Sequence, residues 1–115
     1  MTDKHVDREV LDALRDVMEE AYPDLLDTFL NDSESRLHAL QMTADASALS
    51  EVAHSFKGSA SNMGAVRLAE LCQELEAQAR DKSPAEIVKL VAEISGEFAD
   101  VRPVYEDERQ HALTH

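Results

Sequence analysis

Apolar and polar positions alternate with a helical period along nearly the whole chain. Val10, Leu11, Leu14, Val17, Met18 and Ala21 recur at i, i+3, i+4 and i+7, which predicts a first helix over about 7–20. Tyr22-Pro23 interrupts it, and proline suits the first turn of a new helix, where its missing N–H has no partner to lose. That second helix carries Leu26, Leu30, Ser33, Leu37 and Leu40 on one stripe to about Thr43, with Leu25 and Phe29 beside the stripe. A third, over about 47–63, begins after Asp45-Ala46-Ser47 and ends at Gly64 as C-cap. A fourth, over about 66–80, repeats Leu68, Leu71, Cys72, Leu75 and Ala79. Asp81-Lys82-Ser83-Pro84 reads as a turn and restart with Ser83 as N-cap. The last long helix carries Ile87, Leu90, Val91, Ile94, Phe98, Val101 and Tyr105. Pro103 is expected to kink or break it, and the polar tail Glu106–His115 to fray.

Connections this short make successive helices antiparallel neighbours. The expected fold is therefore all-α: an antiparallel up-down four-helix bundle with an additional short N-terminal helix. A single domain spans 1–115, with its core over about 7–105.

Composition sharpens this picture. The chain has 115 residues, and Lys plus Arg is 11 against 24 Asp plus Glu, a formal charge of −13. Nucleic acid and anionic membranes need a basic footprint, so both are disfavoured as partners. A hydrophobic fraction of 43% still permits a packed core. No apolar run approaches the roughly 18 residues of a membrane span. Met1-Thr2-Asp3-Lys4-His5 lacks the basic and apolar regions of a signal peptide. Cys72, the single cysteine, excludes an internal disulfide, so a cytoplasmic protein is expected.

The third predicted helix carries the chemistry. Its core stripe is Leu49, Val52, Ala53, Phe56, Ala60 and Met63. At about 100° per residue, His54 falls about 150° from the middle of that stripe, with Gly58 and Ser61 within about 40° of it and Lys57 about 60° to one side. The imidazole thus points to solvent among small or cationic side chains. A mid-helix glycine costs about 1 kcal/mol relative to alanine, and Gly58, one turn beyond His54, removes a side chain that would crowd the ring. Lys57 puts an ammonium beside whatever the imidazole binds, which suits an anionic ligand or intermediate. Histidine is a fair nucleophile near neutral pH because much of it is already deprotonated. Spacing alone leaves open that His54 is one of five histidines on a solvated surface.

The stretch Ala53-His54-Ser55-Phe56-Lys57-Gly58-Ser59-Ala60-Ser61-Asn62-Met63-Gly64 resembles the signature of histidine-containing phosphotransfer (HPt) domains. The likeness continues through Leu68-Ala69-Glu70-Leu71-Cys72-Gln73-Glu74-Leu75-Glu76 and covers roughly 8–105, most like stand-alone bacterial proteins of the pseudomonad type. The resemblance implies that His54 takes a phosphoryl group from the aspartyl phosphate of one receiver domain and passes it to another receiver's Asp. It implies that Lys57 helps neutralise the phosphoryl oxygens, that Gly58 leaves room for the receiver, and that Ser59 and Ser61 fill the family's small or hydroxyl positions. Glu76, 22 positions past the histidine, matches a polar residue that hydrogen-bonds the imidazole, and Arg80 a basic residue found in some relatives. For Glu76 and Arg80 a plain i, i+4 surface ion pair is the other reading.

Partners implied by the resemblance are receiver domains of hybrid sensor kinases and response regulators, with Mg²⁺ supplied by the receiver and no cofactor held by this chain. There is no Gly-rich phosphate loop, so neither ATP binding nor kinase activity is expected, and the protein should work as a monomeric, stoichiometric carrier. Docking is assigned to Leu25, Phe29, His54, Lys57, Gly58 and Ser61; Leu25 and Phe29 form either an apolar patch for the receiver or a surface the first helix covers. Cys72 lies on a core stripe and reads as a small buried hydrophobe. His111 and His115 have metal-pair spacing but no third ligand, so no metal is expected, and His5 and His38 have no comparable setting. The rival function is a helical adaptor that binds and regulates a receiver or sensor kinase without being phosphorylated. A metal-binding or hydrolytic bundle is disfavoured because no further ligands converge on His54.

Overall fold

The computed structural model describes residues 5–114. Its elements are α1 (Arg8–Met18), a 3₁₀ turn (Glu19–Ala21), α2 (Tyr22–Met42), α3 (Ala46–Asn62), α4 (Val66–Gln78) and α5 (Pro84–Thr114), with no strand among the described residues. The helix boundaries follow local chemistry. Asp45 caps α3 by accepting from the Ala48 N–H at 2.9 Å. Ser83 and Glu86 cap each other's backbone at the start of α5: the Glu86 N–H donates to Ser83 Oγ at 3.3 Å and the Ser83 N–H to Glu86 Oε1 at 3.1 Å. Those bonds hold the Glu86 carboxyl below the ordinary glutamate range.

Gly64 closes α3 in the left-handed region, at φ 76°. Its N–H reaches Ser61 O at 3.1 Å and the Ala65 N–H reaches Ala60 O at 2.8 Å, so the last carbonyls of the helix are satisfied. A side chain at 64 would also meet Asp7 O at 3.0 Å, because the segment before α1 crosses there and the Asp7 N–H donates to Gly64 O at 2.7 Å.

Helices α2, α3, α4 and α5 form a ring in which each packs against its two neighbours, and the apolar stripes meet in the middle. Tyr22, Leu26, Phe56, Leu68, Leu75, Ile94, Val101 and Tyr105 lie fully buried there. The α5 stripe, at 90, 94, 98, 101, 105 and 108, holds a helical period along most of that 31-residue helix. No helix among the described residues is long and apolar enough to cross a membrane.

Three expectations are corrected. Pro103 does not end α5, and 106–114 are helical rather than frayed. Pro103 and Ala99, whose carbonyl the proline leaves unpaired, both face solvent, so water can take that acceptor. Beyond the proline the buried side still has partners: the Tyr105 hydroxyl donates to Met63 O at 2.7 Å, and Glu108, only 7% exposed, accepts from Arg8 at 2.6 and 2.8 Å and from the Tyr22 hydroxyl at 2.9 Å. Phe29 is the second correction. It is 3% exposed, with its ring centroid 4.8 Å from that of Tyr105, so it belongs to the core and not to a docking patch; Leu25 beside it is half-buried. Thirdly, His5 has a definite setting, with Nδ1 2.7 Å from the buried Glu97 carboxylate. His115 lies outside the described residues, and among the described ones no group of three His, Cys, Asp or Glu could hold a metal.

Candidate functional site

The cross-links between α3 and α4 run in opposite order along the two helices. Ser47 accepts from Arg80 at 3.0 Å, and the Ser50 hydroxyl donates to Glu76 O at 3.1 Å. His54 Nδ1 lies 2.7 Å from Glu76 Oε2, and Lys57 Nζ donates to Gln73 Oε1 at 2.8 Å. Positions 73 and 76, at i and i+3, lie on one face of α4 toward the flank of α3, and Arg80 follows from the turn just after that helix. Behind this layer Ala53, Phe56, Leu68, Cys72 and Leu75 are buried and fix the two helices against each other.

Glu76 is the centre of the arrangement. Oε2 takes the imidazole, and Oε1 lies 2.9 Å from Lys57 Nζ in an ion pair. Those neighbours, Lys57 first and His54 second, hold the Glu76 carboxyl below the ordinary glutamate range. An ionised carboxylate can only accept, so Nδ1 of a neutral ring carries the hydrogen and the Nε2 lone pair is left outward. The His54 side chain is 67% exposed, whereas Glu76 and Lys57 are 24% and 28% exposed. A ring oriented from behind by a carboxylate, with its other nitrogen in solvent, is suited to attack an electrophile brought by another molecule.

Gly58 is exposed, and a Cβ built there meets nothing within 4 Å, His54 included. An alanine-sized side chain at 58 would therefore not crowd the ring, so what glycine keeps clear is space for longer groups or for something arriving from outside. Ser61 is exposed on the His54 side of α3, while Ser59, about 140° round the helix from His54, is half-buried. Arg80 does not pair with Glu76. It bonds Ser47, two turns and roughly 10 Å of helix rise from His54, so the structure does not bring it to the imidazole.

Two contacts escaped sequence reading. Gln73 holds the Lys57 ammonium, and its place one turn before Glu76 on one face of α4 was a usable signal. Arg36, on α2, donates to Ser55 Oγ at 3.1 Å beside His54; nothing in the α2 pattern pointed to it. Cys72 is fully buried, and burial pushes its thiol pKa up to about 12, as expected for a core residue.

A family model described as Hpt domain matches residues 24–103. Among solved structures, the crystal structure of histidine-containing phosphotransfer protein B from Pseudomonas aeruginosa PAO1 is similar, with a TM-score of 0.89 and 49% identity over 94% of this chain and 96% of that one. Comparison with curated proteins returned no match. The family model reaches from α2 past the α3–α4 layer into α5, and the related structure superposes on nearly the whole helical ring at almost half identity. The chain accordingly belongs to the Hpt domain family, the phosphotransfer proteins of two-component signalling.

Proposed function

We propose that this protein is the histidine phosphotransfer component of a multistep phosphorelay, shuttling a phosphoryl group between aspartates of receiver domains through phospho-His54. The observation that carries the reading is the exposed ring with Nδ1 held by Glu76 at 2.7 Å and Nε2 turned outward. In the step we infer, the Nε2 lone pair attacks the phosphorus of a receiver's aspartyl phosphate. The phosphorus–oxygen bond to the aspartyl group breaks, and the carboxylate leaves with the electron pair. The phosphoimidazole keeps its Nδ1–H, so it is cationic, and the charge is met by Glu76. Transfer onward reverses these bonds on a second receiver. Phosphoryl transfer through a loose transition state asks mainly for alignment and charge neutralisation. Lys57 supplies one ammonium next to the ring, and Gly58 and Ser61 leave the adjoining face low enough for a receiver's active site.

On this reading the receiver brings the Asp and the Mg²⁺. The chain acts as a stoichiometric carrier in the cytoplasm, monomeric, with no nucleotide site or cofactor of its own. The docking face is the α3 surface around His54, with Leu25 at its margin. An up-down, antiparallel bundle with α1 added at one side fits the same reading, supported by the opposite order of the α3 and α4 cross-links.

The test is incubation with a receiver carrying radiolabelled aspartyl phosphate, with Mg²⁺ and without ATP. Label is expected on wild type in acid-labile, base-stable form, and none on His54→Gln, whose receiver affinity should stay within a few-fold. Receivers that bind wild type yet transfer no label would replace the relay reading with that of an unphosphorylated adaptor.

A further inference from the structure

Lys57 does not stand free beside the imidazole. Its ammonium is drawn toward α4 by two oxygens at once, Glu76 Oε1 at 2.9 Å and Gln73 Oε1 at 2.8 Å. An ammonium has three donors: Gln73 takes one by hydrogen bond while Glu76 Oε1 holds the charge as an ion pair, and donors remain for anything arriving at the ring. Glu76 simultaneously serves His54 through its other oxygen, which makes the carboxylate a shared resource between two cationic or hydrogen-donating groups. The second holder decides how the sharing works. A flexible lysine stem with a single charged partner samples many rotamers, whereas two acceptors on one helix face, at i and i+3, confine it.

We propose that Gln73 is a positioning residue for the phosphoryl transfer assigned above to His54: it keeps the Lys57 ammonium in place beside the ring, and it acts only through Lys57. The inference rests on the relay reading for its kinetic consequence but not for its structural one: without Gln73 the ammonium keeps one fixed oxygen, on Glu76, and the lysine stem regains rotamer freedom. In transfer, an ammonium that must first be ordered costs rate rather than receiver affinity, since orientation is paid for in the transition state.

The experiment compares wild type, Gln73→Ala, Lys57→Met and the double variant in two measurements. In NMR relaxation measurements without receiver, Gln73→Ala is expected to lower the order parameter of the Lys57 ε-methylene group, the direct readout of a loosened ammonium. In rapid-quench transfer from a labelled receiver, Gln73→Ala should slow transfer about three- to tenfold at saturating receiver. It should add no further slowing when Lys57 is already Met. An unchanged Lys57 order parameter in Gln73→Ala overturns the proposal, and so does slowing of equal size in the Lys57→Met background, which would place Gln73 in direct contact with the receiver or in fold stability. Wild type that takes no label while the Lys57 order parameter falls as described would remove the relay reading and leave the hold on Lys57 standing.

Discussion

Gly58 and Gly96 sit in helix interiors where a Cβ would meet nothing within 4 Å, so both give up helix stability without a packing reason. Replacing either with Ala should raise stability by about 1 kcal/mol, read as a higher denaturation midpoint. Only position 58 adjoins His54. Gly58→Leu should fold yet lower receiver docking and transfer by about tenfold or more, equivalent to about 1.4 kcal/mol, whereas Gly96→Leu should leave transfer alone. Equal transfer by the two variants would deny Gly58 its part in docking. Glu76 makes a pH prediction. Its carboxyl is held below the ordinary range in the folded protein by Lys57 and His54, so the stability it contributes is complete above the unfolded glutamate value of about 4.3. That contribution is lost as pH falls through the lowered folded value. A carboxyl-carbon NMR titration should place the Glu76 midpoint below 4.3; a midpoint at or above it would mean the two contacts do not persist in solution. The outward placing of His54 and Gly58, with Lys57 to one side, was legible from helical angle, while the roles expected of them came from the motif's resemblance to the Hpt signature. Gln73 and Arg36 were not singled out, since a polar residue on an exposed face looks the same whether or not a neighbouring helix supplies its partner.

Helix α1 and the last turns of α5 depend on each other. Glu108 is buried and meets Arg8 through two hydrogen bonds, the Tyr22 hydroxyl through one, and Arg15 at 3.8 Å. Burial and the Glu108 carboxylate both push the Tyr22 hydroxyl pKa up. Glu108→Ala strands a buried hydroxyl while Arg8, half exposed, can return to water, so we expect a loss of about 1–3 kcal/mol in denaturant unfolding. Amide exchange across 8–18 should quicken in the same variant, and unchanged exchange there would show that α1 is held by its apolar face alone. The apolar periods, with Asp45, Gly64 and Ser83 as boundary signals, predicted each helix to within a few residues at most ends. They failed after Pro103, where local polarity and the missing N–H argued for an end but Tyr105 and Glu108 had buried partners on other elements.

The molecule as a whole carries −13 yet packs a continuous core across four helices. Cys72 reports on that core as a unit: it is fully buried, with its thiol pKa raised to about 12. A thiol reagent near neutral pH should label it only when the ring of helices opens globally. Its labelling rate should therefore rise with denaturant along the same dependence as global unfolding. Fast labelling in native buffer would mean that α4 opens separately from the rest.

The order of apolar and polar positions was enough to specify the all-helical class, most of the helix ends and the outward face of His54, because each depends on neighbours three or four residues apart. Which oxygens hold Lys57, which arginine reaches Ser55, whether Phe29 is surface or core, and how far α5 continues past its proline all depend on contacts between residues distant in the chain. Those contacts exist only once the helices are packed, so periodicity along one helix carries no record of them.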